Sequence, residues 1–91
     1  MYYILVYKTA ENYIERRAPF REEHLGLAEH YRKRYGLIMA GAMEDPADEA
    51  LLVFKGDNDE AAHKFVADDP YVKNGLIREW YIRKWNVVVG D

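Results

Sequence analysis

Arg21, His24 and the segment Asp69-Pro70-Tyr71 are the residues whose types and spacing suit acid–base chemistry on a bound small molecule. An imidazole changes charge near neutral pH, so a histidine backed by a carboxylate serves as general acid or base. Pro70 restricts Asp69 to extended backbone and so gives its carboxylate a defined direction. If that carboxylate accepts a hydrogen bond from one ring nitrogen of His24, the tautomer is set and the other nitrogen is left for a cleft. Arg21 precedes His24 by three residues, on the same helical face, where a guanidinium can meet negative charge. On these residues alone the plainer alternative also stands, that Asp69 and His24 only cap and pack.

Other candidates carry less. His30 lies six positions from His24, about 240° round a helix of 3.6 residues per turn, so the two cannot grip one metal. His30 is expected at the surface, and His63, between Ala62 and Lys64, reads as an ordinary helix-surface residue. Asp45, Asp48 and Glu49 lack the ligand count and turn glycine of a calcium loop. Cysteine is absent, which removes disulfides, thiolate metal sites and a thiol nucleophile. Glycine-rich phosphate loops, GxSxG and HExxH are also missing, so neither a cofactor nor a metal is expected.

Charge bears on partners. Thirteen basic and sixteen acidic residues give a net charge of -3. The clusters Arg16, Arg17, Arg21 and Arg32, Lys33, Arg34 alternate with Glu15, Glu22, Glu23 and Glu29, as on a solvated helix surface. Nucleic acid is therefore not an expected partner. No basic start or long apolar stretch precedes Tyr2, so no membrane partner is expected and a cytoplasmic location follows.

The elements that must position these residues follow from periodicity. Tyr2 to Tyr7 (YYILVY) predicts a strand apolar on both faces. Ala10 to Ala18 is polar and helical in character, and a long helix is predicted from Pro19 to Tyr35, ended by Gly36. Leu37 to Ala42 and Ala50 to Phe54 predict a hairpin around the turn residues Glu44 to Asp48. Asp57 and Glu60 have capping-box spacing for a second helix from Asn58 to Asp68, which Pro70 stops. After the Asn74-Gly75 turn, a last strand is predicted from Leu76 to about Val88. Strict alternation puts Trp80, Ile82 and Lys84 on one face and Ile77, Tyr81 and Trp85 on the other.

The order β, α, β, β, α, β over 91 residues predicts an α+β class, ferredoxin-like plait as a single domain spanning residues 1–91, with a four-stranded antiparallel sheet and two helices on one face. The opposite face would then be bare. First and last strands apolar on both faces predict that a second copy covers it, making a homodimer.

Across nearly the whole chain the sequence resembles the YCII-related (YciI-like) domain family. The resemblance is carried by the MYY start, RxxHL at Arg21 to Leu25, the Ala40-Gly41 pair, DPYV at Asp69 to Val72, the Gly75 turn and the Lys84-Trp85 pair. It implies a dimeric α+β barrel, a cofactor-free protein and a His/Asp active site, which falls on His24 and Asp69. Arg21 would be the anion-contacting or orienting neighbour, and Tyr71 a second substrate-binding residue. Some members resemble enzymes that eliminate chloride from hydroxylated aromatics. The implied activity is a lyase or isomerase on a small anionic or phenolic molecule. The alternative is a non-catalytic module holding such a molecule in the same cleft.

Overall fold

The structure, a computed structural model, describes residues 1–90. Tyr2–Thr9 forms β1, in which Tyr3, Leu5 and Tyr7 point to one face and are buried. Its partners are Glu49–Lys55 (β3) on one side and Ile77–Trp85 (β4) on the other, both antiparallel. Leu37–Ala42 (β2) pairs with β3 at the edge, giving the order β2-β3-β1-β4 of the ferredoxin-like plait. Gly36 opens β2 with φ 78°, and a Cβ there would collide with the carbonyl oxygen of Lys55. Only glycine fits that approach of backbone to backbone.

The helices Tyr13–Arg17 (α1), Arg21–Arg34 (α2), Glu60–Asp68 (α3) and Pro70–Lys73 (α4) complete the element order. Tyr31 of α2 and Ala62, Phe65 and Val66 of α3 join the same buried cluster as Tyr3, Leu5, Tyr7, Leu52 and Phe54. The two long helices therefore lie over the odd-numbered face of β1. Burial of such a core at about 25 cal/mol per Å² is the main stabilising term. Among the described residues no helix is long and apolar enough to cross a membrane.

Three details differ from the periodicity reading. Pro19 does not begin α2 but sits inside a 3-10 turn, Ala18–Phe20, which precedes it. Asp57 and Glu60 form no capping box; the Glu60 amide donates instead to the side-chain oxygen of Asn58, the next residue along, at 3.0 Å. Strict alternation also fails in β4, which ends at Trp85. The β1 partner steps from Glu79 opposite Lys8 to Ile77 opposite Thr9, leaving Arg78 as an extra residue. This bulge moves Ile77 onto the helix-covered face, where it is buried, instead of the face it would share with Tyr81 and Trp85.

The even-numbered face of β1 remains uncovered in one chain. Ile4 and Val6 lie beside Leu51 and Val53 of β3 there, with Met39, Tyr81 and Trp85 on the flanking strands. Met39 is 65% and Trp85 46% exposed, large apolar groups in contact with water.

Candidate active site

Asp69 sits between α3 and α4 with φ -71° and ψ 121°, the extended backbone that Pro70 requires of it. Pro70 both stops α3 and starts α4, in whose first turn its missing N–H is no loss. Asp69 caps that short helix, its Oδ1 accepting from the Tyr71 amide at 3.0 Å. The same oxygen faces His24 Nδ1 at 2.8 Å, and Oδ2 accepts from the Tyr7 hydroxyl at 2.7 Å. The residue is 0% exposed. A buried carboxylate is tolerated only when its oxygens are occupied, as here.

His24 lies one turn into α2, and its ring is held from two sides. It stacks on Tyr71 at 3.8 Å with a 3° interplanar angle and meets the edge of Phe65 at 6.0 Å. With a carboxylate at Nδ1, that nitrogen is the donor, and Nε2 is the ring nitrogen that Asp69 does not engage, on a side chain that lines the cleft. The cleft, about 380 Å³, opens between α2 and the helix-facing sides of β1, β2 and β3. Ala40, Ala42 and Ala50 form its floor, Tyr7, Tyr13 and Tyr71 its aromatic wall, and Arg17 and Arg21 its basic end.

Sequence reasoning placed His24, Asp69, Arg21 and Tyr71 together, and all four border this cleft or its buried support. Tyr31 of α2 is buried and donates to Asp68 at 3.0 Å, while Tyr35 is partly exposed. His30 and His63 are exposed, His63 facing Asp59 at 3.2 Å. Glu49, weighed as a cation ligand, pairs with Lys8 at 2.6 Å. Among the described residues no group of three or more His, Asp or Glu side chains is placed to hold a metal. Tyr7, Tyr13 and Arg17 were not singled out. Tyr7 had a signal, since a tyrosine on the buried face of a central strand must find a partner for its hydroxyl. Tyr13 and Arg17 are four apart on α1, hence on one face, but a five-residue helix gives periodicity little to work on.

Burial and the Asp69 carboxylate push the Tyr7 phenol far above the ordinary range, and burial raises Tyr31 and Tyr71 as well. Each phenol keeps its proton in the folded state when the unfolded chain has lost it at about pH 10. Stability is therefore fully present below that pH and falls as pH rises, by about 1.4 kcal/mol per pH unit for each group while only the unfolded form ionises. Urea titrations between neutral pH and the alkaline range should show this decline, shallower in Tyr7→Phe. A stability independent of pH across that range would contradict the buried arrangement.

Known proteins agree with this architecture. An uncharacterized protein of Haemophilus influenzae strain Rd is 26% identical, the alignment covering 97% of this chain and 99% of that protein. A solved structure of 5-chloro-2-hydroxyhydroquinone dehydrochlorinase from Burkholderia phenoliruptrix AC1100, in complex with 2,5-dihydroxybenzoquinone, superposes with a TM-score of 0.76 at 19% identity over 94% of both chains. A candidate antibiotic-biosynthesis monooxygenase from Deinococcus radiodurans gives a TM-score of 0.59 at 17% identity over 100% of this chain and 96% of its own. At such identities the likeness establishes the fold alone, a four-stranded antiparallel sheet with helices in the ferredoxin-like α+β arrangement. The YCII-related domain matches residues 1–86, from the first strand to just past Lys84 and Trp85, and the chain belongs to that family.

Proposed function

We propose that this protein is a cofactor-independent enzyme of the lyase or isomerase type, acting on a small anionic or phenolic molecule. The observation that carries the reading is His24 Nδ1 at 2.8 Å from a fully buried Asp69 carboxylate, on a ring that lines a cleft. His24 Nε2 takes a proton from the substrate. The electron pair left behind expels a leaving group such as chloride from the adjacent carbon, or shifts a double bond before His24 returns the proton elsewhere. Asp69 orients the ring and stabilises the imidazolium formed in between, and Arg21 steadies negative charge on the substrate. The dehydrochlorinase with the same fold, bound to a dihydroxybenzoquinone, supports the choice of hydroxylated aromatics as the first compounds to try.

A thermal-shift and turnover screen of chlorinated and unchlorinated hydroxyquinols, repeated on His24→Gln, tests the reading. Turnover that requires His24 and persists after exhaustive chelation is expected. Activity lost to EDTA and restored by a divalent ion, or undiminished in His24→Gln, would overturn it.

The working unit in this proposal is a homodimer joined through the open sheet face. Ile4, Val6, Leu51 and Val53 make an apolar centre there, and the Lys8–Glu49 pair stands on the same face. A second copy offers a matching surface, and a twofold contact removes both faces from water at once. Sedimentation at micromolar concentration should give twice the 10.7 kDa chain mass, and Val53→Glu should give the single mass. A monomeric wild-type protein would contradict the dimer.

A further inference from the structure

The Tyr71 hydroxyl is a donor without an acceptor. Its residue is 1% exposed, and among the described residues the oxygen has no hydrogen-bond partner of good geometry. A buried hydroxyl whose proton has no acceptor is unfavourable, so its place beside a cleft points to an acceptor that arrives with a ligand. Tyr71 borders the cleft, and its ring packs face to face on His24 and edge-on against Tyr13 at 5.8 Å. The Arg17 guanidinium lies 5.2 Å from the centre of the Tyr13 ring.

Charge at this end of the cleft is also unspent. Arg32, which lines the cleft too, is tied by its Nε to Glu29 at 2.9 Å. Among the described residues neither Arg17 nor Arg21 has a carboxylate partner. Both guanidinium groups act on the Tyr71 phenol, Arg21 also from within reach of its oxygen as a donor, and both oppose the larger effect of burial, which keeps the phenol protonated with its own proton still to donate.

We infer that Arg17, Arg21 and the Tyr71 hydroxyl form an oxyanion subsite, and that its ligand is a flat, single-ring molecule bearing an ionised oxygen. Two guanidinium groups without a carboxylate partner and a phenol whose proton has no acceptor select the charged oxygen. The aromatic wall and alanine floor of a cavity of about 380 Å³ select the flat ring. Because Tyr71 stacks on His24, one bound ring touches the subsite and Nε2 together, so the charge is held next to the atom where the proton moves. That last placement rests on the proton-transfer reading above, whereas the subsite itself is a matter of binding.

Benzoate and benzamide share size and shape and differ in charge, so calorimetric titration with each reads the subsite directly. Benzoate is expected to bind about tenfold or more tightly than benzamide, the effect of a hydrogen bond to a charged group. Arg17→Gln should remove most of that preference and Arg17→Lys should keep most of it. Tyr71→Phe should weaken benzoate more than benzamide, whose neutral carbonyl accepts the weaker hydrogen bond, while His24→Gln should retain the preference. Circular dichroism confirms that each variant is folded, and the two Arg17 variants decide the matter if Tyr71→Phe is not. Equal affinities, no binding of either probe to folded protein, or a preference indifferent to Arg17→Gln would overturn the subsite. A charge preference without turnover of any compound would sink the proton-transfer reading alone. Turnover without a charge preference would sink the subsite alone.

Discussion

Replacing His24 by Gln should lower kcat/KM by a factor of about 10² to 10⁴, the usual contribution of a positioned general acid or base. Asp69→Asn should lower it in the same sense, because the amide presents an NH₂ group either to His24 or to Tyr7 and leaves the imidazolium without a countercharge. The double variant is expected to lose little more than the worse single one, since both changes disable one unit. The three residues involved are already in contact, Tyr7 at 2.7 Å and His24 at 2.8 Å from Asp69. Steady-state kinetics on the first substrate found by screening would check this. Losses that multiply in the double variant would mean that His24 and Asp69 act separately.

Asp69→Ala should be the most destabilising single change at the site, by about 3–5 kcal/mol, as expected when one partner of a buried charged network is removed. Its loss strands the Tyr7 hydroxyl, the Tyr71 amide and His24 Nδ1 together. In a domain of this size each kcal/mol moves Tm by about 4–8 °C, so melting should fall by at least about 12 °C. Tyr7→Phe removes one hydrogen bond to the same carboxylate and should cost about 1.5–3 kcal/mol. His24→Gln keeps a side-chain donor near Asp69 and should stay within about 1 kcal/mol of wild type. That ordering separates support from chemistry, because the variant that hurts activity most in a folded protein is the one that hurts stability least. An Asp69→Ala protein melting with the wild type would show that the carboxylate carries no structural load.

Much of this was legible in the chain itself. The unbroken apolar run YYILVY, the hairpin turn around Asp45 and Pro46, and the stop at Pro70 follow from local rules of backbone and composition, and the plait follows from their order. His24 and Asp69 were recognisable as a candidate pair through a family resemblance in RxxHL and DPYV, and the structure brings them to hydrogen-bond distance across 45 residues. The bulge at Arg78 was not legible, because inserting one residue into a ladder depends on the register of two distant strands. The start of α3 was missed for a smaller reason: Asp57, Asn58 and Asp59 are all capable caps, and only the path of the chain leaving β3 selects Asn58 for the Glu60 amide.

The sequence by itself determined the types of group available. Without cysteine, phosphate loop or metal motif, acid–base chemistry by His and carboxylate was the reading its residues could sustain. Only the tertiary structure decided how those groups are supported. Tyr7, on a strand at the opposite end of the chain, supplies the hydrogen bond to Oδ2 that helps Asp69 remain buried, and Tyr71 supplies the ring on which His24 rests. Arg17 reached the cleft for the same kind of reason, on a short helix too brief for periodicity to orient, whose own Tyr13 packs edge-on against Tyr71 and lies under the Arg17 guanidinium. Period and capping act over a few residues, whereas pairing of a buried donor with its acceptor is settled by whichever distant group the fold brings within reach.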